Sequence, residues 1–185
     1  MKEDLKICIT GPQSQGKSTL LSDLKEHPQF KDFQFYGNIT RGLKEQGYGI
    51  NEDGDTITQY MVVAKHIEHA YKKGKCVLDR CIIDGIVYSL HLCNCNKVYE
   101  EFIHGLYPIY PLILNKYDYI FYTGHEIPLV DDGTRSIDVD FFNNICKLFD
   151  TAIDKFPHKD KIIKLTGNRE DRVKQVIDII YGNKS

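Results

Sequence analysis

Gly11-Pro12-Gln13-Ser14-Gln15-Gly16-Lys17-Ser18-Thr19 follows directly on the apolar run Leu5-Lys6-Ile7-Cys8-Ile9-Thr10. It fits the pattern G-x-x-x-x-G-K-[ST], in which two glycines let the backbone curl so that successive N–H groups point inward at phosphate oxygens. Gly11, Gln13, Ser14, Gln15, Gly16, Lys17, Ser18 and Thr19 are therefore the expected binding segment for the phosphates of a nucleotide. Lys17 adds a mobile positive charge for the β- and γ-phosphates, and the Ser18 hydroxyl takes one position on a bound Mg²⁺. A helix starting at about Lys17 aims its positive dipole end at the same anion.

With glycine near ~7% of residues, the four constrained positions coincide by chance in roughly one chain in a hundred of this length. Context lowers that further. Ile7 and Ile9 mark a strand before the loop, and Leu20, Leu21 and Leu24 fall on one helical face after it.

Working outward, 185 residues with 42% hydrophobic content suit one domain with a sizeable core. No apolar run approaches the ~18 residues of a membrane span, and the Met-Lys-Glu-Asp start lacks a signal peptide's apolar segment, so a cytosolic, non-membrane protein is expected. The 24 basic and 26 acidic residues leave a formal net charge of -2 with no long basic run. A large nonspecific nucleic-acid surface is not expected, although a local basic groove remains open. Cys8, Cys76, Cys81, Cys93, Cys95 and Cys146 are scattered and expected to be reduced. The cluster His91-Leu92-Cys93-Asn94-Cys95 has no second ligand pair at zinc-site spacing, so its thiols are read as packing residues.

In chain order, the first helix should stop near Glu26, because His27 precedes Pro28. Phe33 to Tyr36 reads as a strand, Gly37 to Gly42 as a polar turn at its carboxyl end, and Gln46 to Gly54 as a glycine-rich loop. From Asp55 to about Lys73 the pattern is helical, with Ile57, Tyr60, Met61, Ala64, Ile67 and Ala70 recurring at three- and four-residue spacing. Lys75 to Arg80 reads as a buried parallel strand closed by an acid and a base. An acid there is placed for the second Mg²⁺ contact, direct or through water; the alternative for Asp79 is a structural carboxylate capping the next helix.

Asp84 to Leu92 and Lys97 to about Asn115 read as helices, the latter broken or kinked by Pro108 and Pro111. A strand at Tyr117 to Tyr122, a helix from Asp138 to Phe156, a strand at Lys161 to Thr166, a turn at Gly167-Asn168 and a helix from Arg169 to Tyr181 complete the chain. Alternating strands and helices predict an α/β fold with about five parallel strands and helices on both faces.

The arginines are Arg41, Arg80, Arg135, Arg169 and Arg172, and the first two lie just beyond expected strand ends. Arg135 is the only lysine or arginine between Lys116 and Lys147. On a polar loop spanning about 124–137, its planar cation suits a lid that closes over transferring phosphate. The bland alternative is a solvated partner for Asp131, Asp132 or Asp138.

Several features occur together in order: the loop Gly11 to Ser18, Thr40-Arg41, Leu78-Asp79-Arg80 with Asp84-Gly85 and Tyr88, Asp131 to Arg135, and Arg169 to Arg172. Together they resemble a P-loop kinase of the NadR-like ATPase/kinase group, which includes nicotinamide riboside kinase domains and phage proteins. Asp79-Arg80 followed by Tyr88-Ser89 is also similar to the thymidylate and deoxynucleoside kinase pattern. The resemblance implies a nucleoside-kinase-like doubly wound fold, ATP as donor, and Arg41, Arg80, Asp84 and Tyr88 facing a small nucleoside or nucleotide acceptor. It also implies that Gly167-Asn168 lies beside the adenine. Members of the group often carry a glutamate two residues before the Thr-Arg pair, where this chain has Asn38. An asparagine takes no proton, so a base role must pass to Asp79 or Asp84, or the acceptor is a phosphate that needs no strong base.

The leading expectation is an ATP- and Mg²⁺-dependent kinase of a nucleoside, nucleotide or related ribosyl compound, with Lys17, Asp79 and Arg135 as catalytic residues. Alternatives are a phage-type kinase of a modified base in DNA, an NTPase switch, and a nucleotide-binding module without turnover.

Overall fold

Strands and helices alternate along the computed structural model, which describes residues 2–127, 138–155 and 159–182. The strands are β1 (Leu5–Thr10), β2 (Gln34–Tyr36), β3 (Lys75–Asp79), β4 (Tyr119–Tyr122) and β5 (Ile162–Lys164). They form a five-stranded sheet in the order β2-β3-β1-β4-β5, with parallel pairings throughout. The described helices are α1 (Lys17–Glu26), α2 (Ile39–Glu45), α3 (Thr56–Ala70), α4 (Ile82–Asn94), α5 (Glu100–Leu106), α6 (Tyr110–Leu114), α7 (Val139–Lys155) and α8 (Arg169–Tyr181). This is the doubly wound α/β fold that the alternating pattern predicts.

Because successive strand residues point to opposite faces, the central strands need apolar residues at every position. Ile7, Ile9, Val77 and Phe121 pack toward α1 and α8, joining Leu20, Leu24, Val176 and Ile180 in one apolar cluster. Cys8, Cys76, Leu78 and Ile120 turn the other way, onto Val63, Ile83, Val87, Ile145 and Phe149 from α3, α4 and α7. Both faces of the sheet are covered.

The strand order fixes where a ligand can sit. The chain leaving β1 passes over β3 to reach β2, whereas the chain leaving β3 passes over β1 to reach β4. These opposed departures open a crevice at the carboxyl ends of β1 and β3. The residues there are Thr10-Gly11 and Asp79-Arg80.

Three local findings refine the sequence reading. The turn after β2 is confined to Gly37-Asn38, and residues read as its continuation form α2. Gly42 within that short helix interrupts the helical pattern and hides it. Pro108 and Pro111 do break the long helical segment, leaving α5 and α6. In α3, the face turned inward carries Thr58, Gln59, Val62, Val63, His66, His69 and Ala70. Ile57 and Tyr60, on the periodic stripe seen in sequence, are 63% and 58% exposed. Tyr60 still covers an apolar neighbour, meeting Phe102 edge-on at 4.5 Å. None of the described helices is long and apolar enough to cross a membrane.

Candidate active site

The loop after β1 bends through Gly11 (φ 137°), Ser14 (φ 62°) and Gly16 (φ 75°). Gly11 also has no room for a side chain, since a Cβ there would lie 2.4 Å from Thr123 Oγ1. The loop delivers the chain into α1 without a side-chain cap. By contrast, Asp55 caps α3 at 2.8 Å from the Thr58 N–H, and Asn168 caps α8 through the N–H groups of Glu170 and Asp171. The first N–H groups of α1 are left for an anion. Lys17 folds back so that its Nζ donates to the Pro12 carbonyl. Gln13 Nε2 and Ser14 Oγ are buried with no hydrogen-bond partner among the described residues.

At the neighbouring strand end, Asp79 lies opposite Ile9 in the β1/β3 register. Gly37 passes so close that a Cβ on it would meet Asp79 Cβ at 2.7 Å. The helix-capping alternative for Asp79 fails, because Asp84 does that work from inside α4. Its Oδ2 accepts from the Cys81 N–H at 3.0 Å and from Thr10 Oγ1 at 2.6 Å. Its Oδ1 accepts from Arg80 at 2.7 Å. Held by these three donors, one of them the Arg80 guanidinium, the Asp84 carboxylate positions Arg80 and is a weakened acceptor for a substrate proton.

Arg80 adopts a left-handed backbone (φ 69°), a strained conformation for a side chain of its size. Burial opposes its charge, and the Tyr88, Asp84 and Asp79 oxygens more than offset that, so the guanidinium stays charged. It lies 5.3 Å above the Tyr88 ring. Burial pushes the Tyr88 phenol up, with Arg80 opposing, and its neutral hydroxyl donates to Gln13 Oε1 at 2.9 Å. A continuous chain of contacts thus runs from Asp84 through Arg80 and Tyr88 to the phosphate loop.

These groups line one cavity of about 400 Å³ that extends from the loop to α2 and α3. Its far wall includes Asn38, Arg41, Lys44, Gln59 and His66. Ser89 Oγ donates to Gln59 Oε1 at 3.0 Å, fixing the amide. His66 is 2% exposed and its Nδ1 has no partner among the described residues. Burial lowers its pKa to about 4, against a smaller upward pull from Asp84, so the ring is neutral near pH 7.

The cavity gathers Gln13, Ser14, Gln15, Lys17, Ser18, Asn38, Arg41, Asp79, Arg80, Asp84 and Tyr88 from the sequence-derived set. Gly11, Gly16 and Thr19 shape the loop and helix start without facing it. Gly167 and Asn168 lie off the cavity: Asn168 caps α8, and the Gly167 carbonyl accepts from Arg172 Nε at 3.1 Å. Arg135 and residues 128–137 of the expected lid lie outside the described residues.

Thr10, Lys44, Gln59, His66 and Arg172 were not singled out as site residues by sequence. Gln59 and His66, seven apart on one helix face, were the available signal. Arg172, buried, donates to the Gln15 carbonyl at 2.9 Å and to Gly167, and reaches Glu126 Oε2 at 3.5 Å. Gln15 in turn clasps Ile127, its amide donating to the Ile127 carbonyl at 2.7 Å and accepting from the Ile127 N–H at 2.9 Å. Nothing in residue spacing announces either link.

A family model described as an AAA domain matches residues 6–172. The chain belongs to this AAA-domain family. No curated protein matches the AAA-domain chain in sequence. Among solved structures it is similar in fold to a NadR protein in complex with NR, with TM-score 0.76 and 16% identity over 98% of this chain and 53% of that one. A NadR protein in complex with NAD and AMP-PNP gives TM-score 0.73 and 15% identity over 99% and 51%. The AAA-domain chain thus spans about half the length of the NadR chains it matches. A deoxyadenosine kinase from M. mycoides, with products dCMP and a flexible dCDP bound, gives TM-score 0.73 and 14% identity over 97% and 100%. These likenesses establish a nucleoside-kinase-like P-loop fold for the AAA-domain chain.

Proposed function

We propose that the protein is an ATP-dependent kinase that transfers the γ-phosphoryl group to a nucleoside, nucleotide or related ribosyl compound. One observation carries this reading: a single cavity joins the phosphate loop to a separate polar wall on α2 and α3, with Asp79 and Arg80 at the junction. A hydrolytic switch needs the loop alone; a kinase needs a second chamber for an acceptor.

The loop's donor set fits a triphosphate. The uncapped start of α1 and the Gln13 Nε2 and Ser14 Oγ groups, unpartnered among the described residues, supply hydrogen-bond donors, and Lys17 adds positive charge. Lys17 exchanges the Pro12 carbonyl for phosphate oxygens and stabilises charge on the transferring group. Ser18 and Asp79 are the residues that would hold Mg²⁺, and both face the cavity. When bound, the ion neutralises part of the phosphate charge. Arg80, held by Asp84, fixes the acceptor's reactive end against the donor, where orientation supplies much of the rate.

Incubation with Mg-ATP and a panel of nucleosides, monophosphates, nicotinamide riboside and modified DNA, followed by chromatography of ADP and products, tests the proposal. A phosphorylated acceptor formed in step with ADP is expected. ADP without any phosphorylated acceptor would replace the kinase with an NTPase switch.

A further inference from the structure

We infer that the acceptor is itself a phosphate monoester, a free nucleoside monophosphate whose phosphate oxygen is the nucleophile. This rests on the kinase reading and adds the charge and reacting group of the acceptor.

The first support is the charge around the cavity. Its cations are Lys17, Arg41, Lys44 and Arg80, and its carboxylates are Asp79 and Asp84. Asp84 is committed to Arg80 at 2.7 Å. Lys17 belongs to the phosphate loop, and Asp79 stands at the strand end beside it. Arg41 and Lys44 are left, three apart on α2 and thus on one helical face, with no ion pair to any described residue. A neutral sugar would leave both cations to solvent. A phosphate bound between them gains charge-assisted hydrogen bonds and relieves their mutual repulsion.

The second support is the supply of bases. A hydroxyl acceptor loses a proton as its oxygen bonds to phosphorus, so a group with a free lone pair must stand within reach. Asn38 takes no proton, and the Asp84 carboxylate is held by Thr10, Cys81 and the Arg80 cation, which weakens it as a proton acceptor. His66 is a weak base, its pKa lowered to about 4 by burial. Asp79 is the remaining carboxylate among the described lining residues, on the metal side. A phosphate oxygen already carries its negative charge. It forms the new bond to the γ-phosphorus while the bond to the bridging oxygen breaks, and that electron pair departs with ADP. The ADP and the nucleoside diphosphate together carry the charge of the ATP and monophosphate consumed, so no proton need be removed. A cavity of about 400 Å³ lies within the ~300–1,000 Å³ range of small-molecule sites.

The test compares the common ribo- and deoxyribonucleosides with their 5′-monophosphates as acceptors of phosphate from Mg-ATP, using the full chain. At least one monophosphate should give its diphosphate with kcat/KM about 100-fold or more above that of its nucleoside. Arg41→Ala and Lys44→Ala should each raise the KM for that monophosphate about tenfold, with Arg41→Lys losing less. Nucleosides phosphorylated as well as, or better than, their monophosphates would overturn the inference while leaving the kinase intact. So would a wild-type KM in the Arg41→Ala/Lys44→Ala double variant. Binding of monophosphates in the presence of AMP-PNP separates the remaining failure. Arg41- and Lys44-dependent binding without any transfer would keep the anion-binding chamber and remove the kinase; absence of both would remove the two together.

Discussion

The two ends of the cavity are built by different means. At the phosphate-loop end the chain path is set by Gly11, Ser14 and Gly16 in positive-φ conformations, and the proposed binding groups are backbone N–H donors with Lys17 as the charge. At the acceptor end they are side chains, held by one another: Asp84 holds Arg80, Arg80 lies over Tyr88, and Ser89 holds Gln59. The first kind of site depends on chain geometry and tolerates many ligands sharing a phosphate tail. The second depends on residue identity, so under the proposed function it is where selectivity would reside.

Lys17→Ala should produce the largest effect, at least about a 100-fold loss of phosphoryl transfer, with the melting transition and circular dichroism little changed. Wild-type turnover by this variant, measured as ADP release, would remove the phosphate end from the comparison.

At the other end, Asp84→Asn should act on stability. It leaves the Arg80 charge half-buried without its partner carboxylate, at a cost of about 3 kcal/mol in urea unfolding. An unchanged midpoint would mean that the acceptor wall is not held by this ion pair.

Asp79→Asn probes the border between the two. Removing the charge without changing shape should lower turnover about tenfold across a Mg²⁺ titration, with nucleotide affinity in EDTA changed less than about twofold. Identical Mg²⁺ profiles for variant and wild type would return Asp79 to a structural role.

A separate expected effect is acid sensitivity from His66. Burial lowers its pKa from 6.5 to about 4, so the unfolded chain binds the proton more readily than the folded one. Stability from this group is therefore fully present above about pH 6.5 and is lost as pH falls toward 4, by about 2 kcal/mol between about pH 7.5 and pH 5. His69 and His91, also lowered chiefly by burial, add in the same direction. Urea unfolding at both pH values should show a smaller difference in His66→Gln; an equal difference would place the acid sensitivity elsewhere.

The phosphate end was legible in sequence because its constraints are local. Two glycines, a lysine and a hydroxyl at fixed spacing describe a backbone path, and β1 and α1 on either side follow from short-range patterns. The acceptor end was legible only in part. Arg41, Arg80, Asp84 and Tyr88 were marked by their placement and by resemblance, but α3 was read along its apolar stripe, whereas it turns Gln59 and His66 inward. Hydrophobic periodicity finds the face that meets a core, and α3 meets a polar cavity over part of its length. Arg172 and the link from Gln15 to Ile127 escaped for another reason: the partners are backbone groups 157 and 112 residues away, which leave no trace in spacing.

The clasp of Gln15 on Ile127 makes the loop after β4 a dependent rather than an interchangeable part. Its first residues are fastened to the phosphate loop by an amide side chain whose length and two-way hydrogen bonding neither alanine nor glutamate reproduces. A chimera that imports this loop from another P-loop protein must therefore import a matching residue at position 15, or the graft begins at an unfastened end.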